Sequence, residues 1–156
     1  MRETLCGFNN SPDGTSLGST MLVTHGPTLY VDIGFDPSYN AKTSVRPVSG
    51  ISKVRALVDS GAQESCIDSM LAAELGLPIV NRAFISGVGG KHEVNVYLAQ
   101  VYINGLQITQ YGRFLGVHLA AGGQAHVALI GRSFLRHCIM EYNGITGTVK
   151  ISMPNH

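Results

Sequence analysis

The sequence predicts a mostly β domain with a barrel-like arrangement, about eight short strands and two short helices. Two observations favour this fold class. Glycine supplies 19 of the 156 residues and proline six, a composition rich in turns. Apolar residues occur in short runs separated by turn residues, and two Asn-Gly pairs, at 104–105 and 143–144, are typical of β-hairpins. The chain is therefore expected to form a small all-β barrel.

The predicted strands cover, in chain order, 28–34, 54–58, 83–86, 92–103, 106–111, 139–142 and 148–151, and further short apolar runs lie at 114–117 and 127–130. The first helix is predicted over 70–75, with Asp68 or Ser69 as its N-cap and Gly76 near its end. A second short helix is predicted over 132–137.

Residues 1–26 are polar and show no hydrophobic periodicity, so we expect a flexible N-terminal arm followed by one domain over 27–153.

The charge balance excludes several functional classes. Eleven basic and ten acidic residues give a net charge of +1, and only 13% of the residues are charged. A nucleic-acid binder or a binder of anionic membranes would have a basic surface, so neither partner is expected.

No apolar run is long enough for a transmembrane segment, and no signal peptide is evident. Three cysteines favour a reducing compartment, and a cytoplasmic location is the default expectation.

Asp59 is the first candidate for chemistry. It follows the apolar run 56–58 and lies in an Asp-Ser-Gly-Ala turn, where backbone contacts can fix a carboxylate. The hydroxyl of Ser60 can donate a hydrogen bond that holds the loop. An Asp that accepts backbone N–H bonds in a turn is also a common structural feature. The tetrapeptide alone leaves both interpretations open.

Two further segments favour a functional role for Asp59. Residues 85–90 form a glycine-rich hairpin tip with one apolar residue at its centre. Residues 127–135 form an apolar strand that leads into Gly131, Arg132 and a short helix. Their order matters as well as their composition, because the carboxylate loop comes first, the hairpin second and the Gly-Arg segment third.

Taken together, these three segments resemble the retropepsins, the retroviral-type aspartic proteases. The resemblance covers residues 27–152, and it implies a closed-barrel acid protease fold with one lobe per chain. It also implies an aspartic endopeptidase that is active as a homodimer and binds its polypeptide substrate as an extended strand. No cofactor and no metal are expected, since the six histidines lack ligand spacing.

The resemblance assigns a role to each matching residue. Asp59 would be the catalytic carboxylate, Ser60 would donate a hydrogen bond across the dimer axis, and Gly61 and Ala62 would offer backbone groups to the substrate. The flap tip would consist of Ser86, Gly87, Val88, Gly89 and Gly90, with Val88 covering the substrate. Leu129, Ile130 and Gly131 would pack behind the catalytic loop, next to Arg132.

One position departs from the pattern of the family. Many viral members have an acidic residue directly after the Ala, and it pairs with the Arg of the late segment. Gln63 stands there in this chain. We therefore expect Gln63 or Glu64 to be the partner of Arg132.

The chemistry implies a second copy of the chain. Two carboxyl groups about 3 Å apart share one proton, so that one acts as base and the other as acid. This sequence has a single Asp-Ser-Gly. Asp32-Ile33-Gly34 lacks the hydroxyl and lies too close to Asp59 in sequence to begin a second lobe, so Asp32 is interpreted as structural. The second aspartate must then come from a partner subunit.

Two other functions stay open at the level of sequence. A catalytically silent protein of the same fold could bind peptides or dimerise a larger assembly. An unrelated β-barrel binding domain is the third hypothesis. A phosphate-binding loop at 87–92 is excluded because the spacing is wrong and Ser or Thr is absent where His92 stands.

Overall fold

The computed structural model describes residues 1–44, 46–87 and 89–155. The strands are β1 (Arg2–Leu5), β2 (Thr28–Gly34), β3 (Ile51–Val58), β4 (Cys66–Asp68), β5 (Ile79–Gly87), β6 (Gly90–Ile103), β7 (Ile108–Val117), β8 (Ala128–Ile130), β9 (Ile139–Asn143) and β10 (Thr148–Met153). The helices are α1 (Gly18–His25), α2 (Ser69–Glu74) and α3 (Arg132–Leu135). No helix of the described ranges is long and apolar enough to cross a membrane.

Six strands close into a barrel. Strand β2 pairs with β3, β3 with β8, β8 with β4, β4 with β7 and β7 with β6. The ring is closed by β6, which pairs with β2 from Gln100 to Ile103. The predicted all-β barrel is thus confirmed, and β5 extends it as an additional strand on β6.

The barrel interior is filled with aliphatic and aromatic side chains. Val31 and Ile33 of β2, Val101 of β6 and Phe114 of β7 are each fully buried. They belong to a continuous apolar cluster that also includes Ile130 of β8. Burial of this apolar surface stabilises the closed arrangement of the strands.

The N-terminal segment 1–26 differs from the expected flexible arm. Strand β1 pairs with β10, in the register Arg2↔Met153, and extends a small sheet with β9. Helix α1 buries Leu22, and Cys6 is only 3% exposed. Residues 2–5 and 18–25 therefore form regular structure, the first through strand pairing with β10 and the second with Leu22 packed into the apolar core. The domain boundary at residue 27 stays a prediction.

Several elements differ in length or number from the sequence-based prediction. Helix α1 makes three helices among the described residues instead of two. The predicted run 106–111 begins in a turn, where Gln107 has a φ of 52°, and its remainder from residue 108 joins the run 114–117 in one strand, β7. Helix α2 begins as expected, because the Asp68 carboxylate accepts the N–H of Leu71.

Candidate active site

The loop that contains Asp59 is fixed by its own backbone and by strand β8. The Asp59 N–H donates to the carbonyl of Ile130 at 2.9 Å. The Asp59 carbonyl accepts the N–H of Ala62 at 3.2 Å, and its Oδ1 accepts the N–H of Gly61 at 2.9 Å. The turn thus holds a half-buried carboxylate at the end of β3.

The parallel pairing of β3 with β8 brings the segment that begins at Gly131 to this turn. Val58 lies opposite Ile130 in the register, so Gly131 adjoins the loop that begins at Asp59. A Cβ atom built on Gly131 would lie 2.6 Å from the carbonyl oxygen of Glu64 and 3.0 Å from that of Ala62. Only glycine permits this close approach of the two backbones.

A buried hydroxyl joins the loop to two other elements. Ser65 is fully buried, and its Oγ accepts the N–H of Gly131 at 3.1 Å and Nε2 of Gln110 at 3.0 Å. Sequence analysis missed both Ser65 and Gln110. The available signal was a small polar residue directly before the apolar run 66–67.

Arg132 has a different partner from the expected one. Its Nη1 donates to the carbonyl of Ser60 at 2.7 Å, and its backbone N–H donates to the carbonyl of Ala62 at 2.9 Å. The expected pairing with Gln63 or Glu64 is wrong, since the carbonyls of the turn face the beginning of α3. Backbone N–H groups at a helix start lack intrahelical partners and readily donate to such carbonyls. The backbone of Gln63 takes part in the same way, because its carbonyl accepts the N–H of Ser133 at 2.9 Å.

The glycine-rich segment forms the tip of a hairpin between β5 and β6. Gly87 lies opposite Gly90, and Ser86 lies opposite Lys91. Gly89 and Gly90 have φ values of 90° and 104°, which favour glycine. Its role as a flap stays a prediction, and Val88, the expected centre of the tip, lies outside the described residues. The described residues 86, 87, 89 and 90 are exposed.

A groove of about 840 Å³ joins the hairpin to the loop after Asp59. Ala62 and Ser86, two of the candidate residues, both line it. Its other walls are mostly apolar, with two charged side chains, Glu64 and Arg113. The lining residues from the barrel wall are Cys66, Val96, Leu115 and Val117. The candidate residues of the three sequence segments therefore adjoin one another through the loop, β8 and this groove.

The Cys66 thiol in the groove favours its protonated form at neutral pH. Burial raises the pKa of Cys66 to about 11, with the negative charges of Asp59 and Glu64 as further causes. Because the thiolate is the reactive form, Cys66 serves as an apolar wall of the groove. Among the described residues, no group of three or more His, Cys, Asp or Glu side chains could hold a metal ion.

Comparison with known proteins gives one family. A family model described as "gag-polyprotein putative aspartyl protease" matches residues 47–137, more than half of the chain. That range includes the Asp59 turn, the hairpin and Gly131-Arg132. Among solved structures, the chain is similar to EIAV protease complexed with the inhibitor HBY-793, with 22% identity, a TM-score of 0.41 and coverage of 64% of this chain and 91% of that chain. No curated protein matches the sequence.

Proposed function

Because the chain belongs to the gag-polyprotein aspartyl protease family, we propose that it is an aspartic endopeptidase with Asp59 as its catalytic carboxylate. The active unit is a homodimer, in which each subunit contributes one aspartate. The retropepsin resemblance of the sequence is confirmed by this family membership. Beyond family membership, we propose the proteolytic activity, the homodimer and the catalytic role of Asp59.

The geometry of the Asp59 turn is the observation that supports the proposal most. Oδ1 accepts the Gly61 N–H, whereas Oδ2 accepts no hydrogen bond among the described residues. The backbone N–H of Asp59 is anchored on Ile130. One oxygen is thus held in place, and the other is available to a water molecule and to a second carboxyl group.

The proposed reaction needs one carboxylate and one carboxylic acid. Two aspartates at a dimer axis share a proton, because close like charges oppose double ionisation. The ionised member takes a proton from water, and the oxygen of that water attacks the peptide carbonyl carbon. The protonated member transfers its proton towards the amide, and the C–N bond breaks to give a carboxylic acid and an amine.

The groove supports an extended polypeptide as the substrate. It places the inner side of the β5–β6 hairpin beside the loop that follows Asp59. A peptide that lies between them can pair as an additional strand and direct alternate side chains into the groove. The Leu115 and Val117 walls favour an apolar side chain there, and the hairpin would exclude water on closure.

A cleavage assay with matched variants tests the proposal. The full chain is incubated with a peptide library from about pH 3 to pH 7, where carboxylate dyads titrate, at several protein concentrations. Asp59→Asn removes the shared-proton chemistry and hardly changes volume. Asp13→Asn makes the same substitution at an exposed position between Ser11 and Thr15, so it is the control.

The expected result is cleavage by the wild type and by Asp13→Asn, none by Asp59→Asn, and a rate that rises faster than linearly with concentration. Cleavage by purified Asp59→Asn would overturn the assignment of the residue. A dimer, shown by sedimentation, that binds peptides without cleaving them would overturn the activity.

A further inference from the structure

A second cavity, of about 490 Å³, lies between the N-terminal segment and the barrel. One wall comes from residues 4–8 and from helix α1, which contributes Met21 and His25. The opposite wall includes residues 28–30 of β2, Arg55 of β3 and His126. Its volume is in the range of small-molecule sites. The lining residues between positions 4 and 30 precede the family match at 47–137, whereas Arg55 and His126 lie within it, so the N-terminal segment completes a cavity on the family domain.

The cavity has three basic side chains and no acidic one among the described residues that line it. These are His25, Arg55 and His126. Within the described part of the chain, no carboxylate lies within 4 Å of the Arg55 guanidinium. Burial lowers the pKa of His126, and the positive charges of Arg55 and His25 lower it further. Arg55 is therefore a cation in the cavity wall without a carboxylate partner among the described residues, whereas His126 favours its neutral form.

His126 is held rigidly in this wall. It is 6% exposed, and its Nε2 lies 2.8 Å from Oγ1 of Thr28. The Thr28 hydroxyl also contacts the carbonyl of Gly26 at 3.0 Å. A carbonyl only accepts, so Thr28 donates its hydrogen to Gly26 and accepts the N–H of His126 Nε2. The imidazole is fixed on one side of the cavity before any ligand arrives.

The other part of the cavity is apolar. Phe8, Met21 and Leu29 line it together with Cys6, which is 3% exposed. The ring of Phe8 lies 5.8 Å from that of His25, so the apolar and basic parts adjoin. A ligand that satisfies both parts must combine a negative charge with a compact hydrophobic body.

We propose that this cavity binds a small organic carboxylate. The carboxylate lies beside the guanidinium of Arg55, which can donate two hydrogen bonds to it, and the hydrophobic body contacts Phe8, Met21 and Leu29. Binding supplies a negatively charged partner for the Arg55 guanidinium. The inference is independent of the proposed proteolysis.

The test uses the full chain near pH 7 and two probes, 4-phenylbutyrate and its neutral analogue 4-phenylbutanol. Isothermal titration calorimetry measures each dissociation constant for the wild type, Arg55→Gln and Arg136→Gln. Arg136 is an exposed arginine after α3 that does not line the cavity, and it is the matched control. We expect the wild type to bind the carboxylate and Arg55→Gln to bind it at least roughly tenfold more weakly. Arg136→Gln should bind as the wild type does.

Three results would overturn the proposal: no binding of the carboxylate at about 10 mM, equal affinity for the alcohol, or equal affinity of Arg55→Gln. If Arg55→Gln does not fold, NMR spectra of the wild type show whether 4-phenylbutyrate binds in this cavity. The ring signals of His25 and His126 should then shift on addition of 4-phenylbutyrate and not on addition of the alcohol. Unchanged ring signals in the presence of bound carboxylate would overturn the site.

Discussion

The guanidinium of Arg132 donates a hydrogen bond of 2.7 Å to the backbone carbonyl of Ser60. The backbone N–H of the same residue is bonded to Ala62. One residue at the beginning of α3 thus binds both sides of Gly61. The conformation of the candidate catalytic turn depends on a residue that lies far later in the chain, beyond the β5–β6 hairpin and three further strands of the fold.

Replacing Arg132 with Met should loosen the turn without removing the apolar stem of the side chain. We expect a loss of about 1 kcal/mol in the free energy of unfolding, since one charge-assisted hydrogen bond disappears. We expect kcat/KM for peptide cleavage to fall roughly tenfold or more, because the carboxylate would be misplaced. Denaturant unfolding and cleavage kinetics measure the two effects. Arg136→Met is the control, and equal losses in both variants would contradict a specific role for Arg132.

Gly131 should tolerate no side chain. In Gly131→Ala the new Cβ would meet the carbonyl carbon and oxygen of Glu64 at 2.7 and 2.6 Å. We expect a destabilisation of about 2–3 kcal/mol, measured by denaturant unfolding. Gly112→Ala is the matched control, because nothing lies within 4 Å of its Cβ position. Similar stability of the two variants would refute the close approach.

Ser65→Ala should destabilise the domain although it removes a single oxygen atom. The buried N–H of Gly131 and the half-buried amide of Gln110 would both lose their acceptor. We expect a cost of about 2 kcal/mol. Thermal unfolding compares this variant with Ser38→Ala, whose hydroxyl is exposed. A double-mutant cycle with Gln110→Leu should then show coupling between the two positions, and strict additivity would exclude the network.

His126 should make the protein less stable in mild acid. Burial and the charges of Arg55 and His25 lower its pKa in the folded state from the ordinary 6.5. As the pH falls below 6.5, the unfolded chain takes up a proton that the folded state resists, so stability decreases through that window. His126→Gln should flatten the dependence of unfolding free energy on pH there. His137→Gln, at an exposed position, is the control variant, and an equal change of slope in both variants would contradict the assignment to His126.

Local sequence patterns were sufficient to predict the Asp59 loop, the glycine-rich hairpin and the segment that begins at Gly131. Asp59 follows a strand and begins a tight turn, the glycines after position 88 require positive φ values, and Gly131 follows an apolar run. Each of these features depends on a few neighbouring residues. The sequence therefore identified the segments that adjoin in the fold.

The N-terminal segment could not be predicted in the same way. Its strand, β1, forms only because β10, at the opposite end of the chain, offers an edge. Helix α1 fits because Gly18 lies directly against Gly147, where a Cβ would collide with backbone. Ser65 and Gln110 are a similar case, since the meeting of β4 and β7 determines their contact. Such contacts depend on tertiary structure and leave no periodic signal in the sequence.

The pairing of β3 with β8 also determines when the candidate site can exist during synthesis. Val58 leaves the ribosome well before its partner Ile130, because most of the barrel is encoded between them. At elongation rates of about 5–20 residues per second, translation of the intervening chain takes roughly 4–14 s. During this time the nascent chain has Asp59 but lacks the strand that anchors its N–H. The turn that holds Asp59 can therefore be completed only after strand β8 has been translated, when most strands of the described barrel already exist.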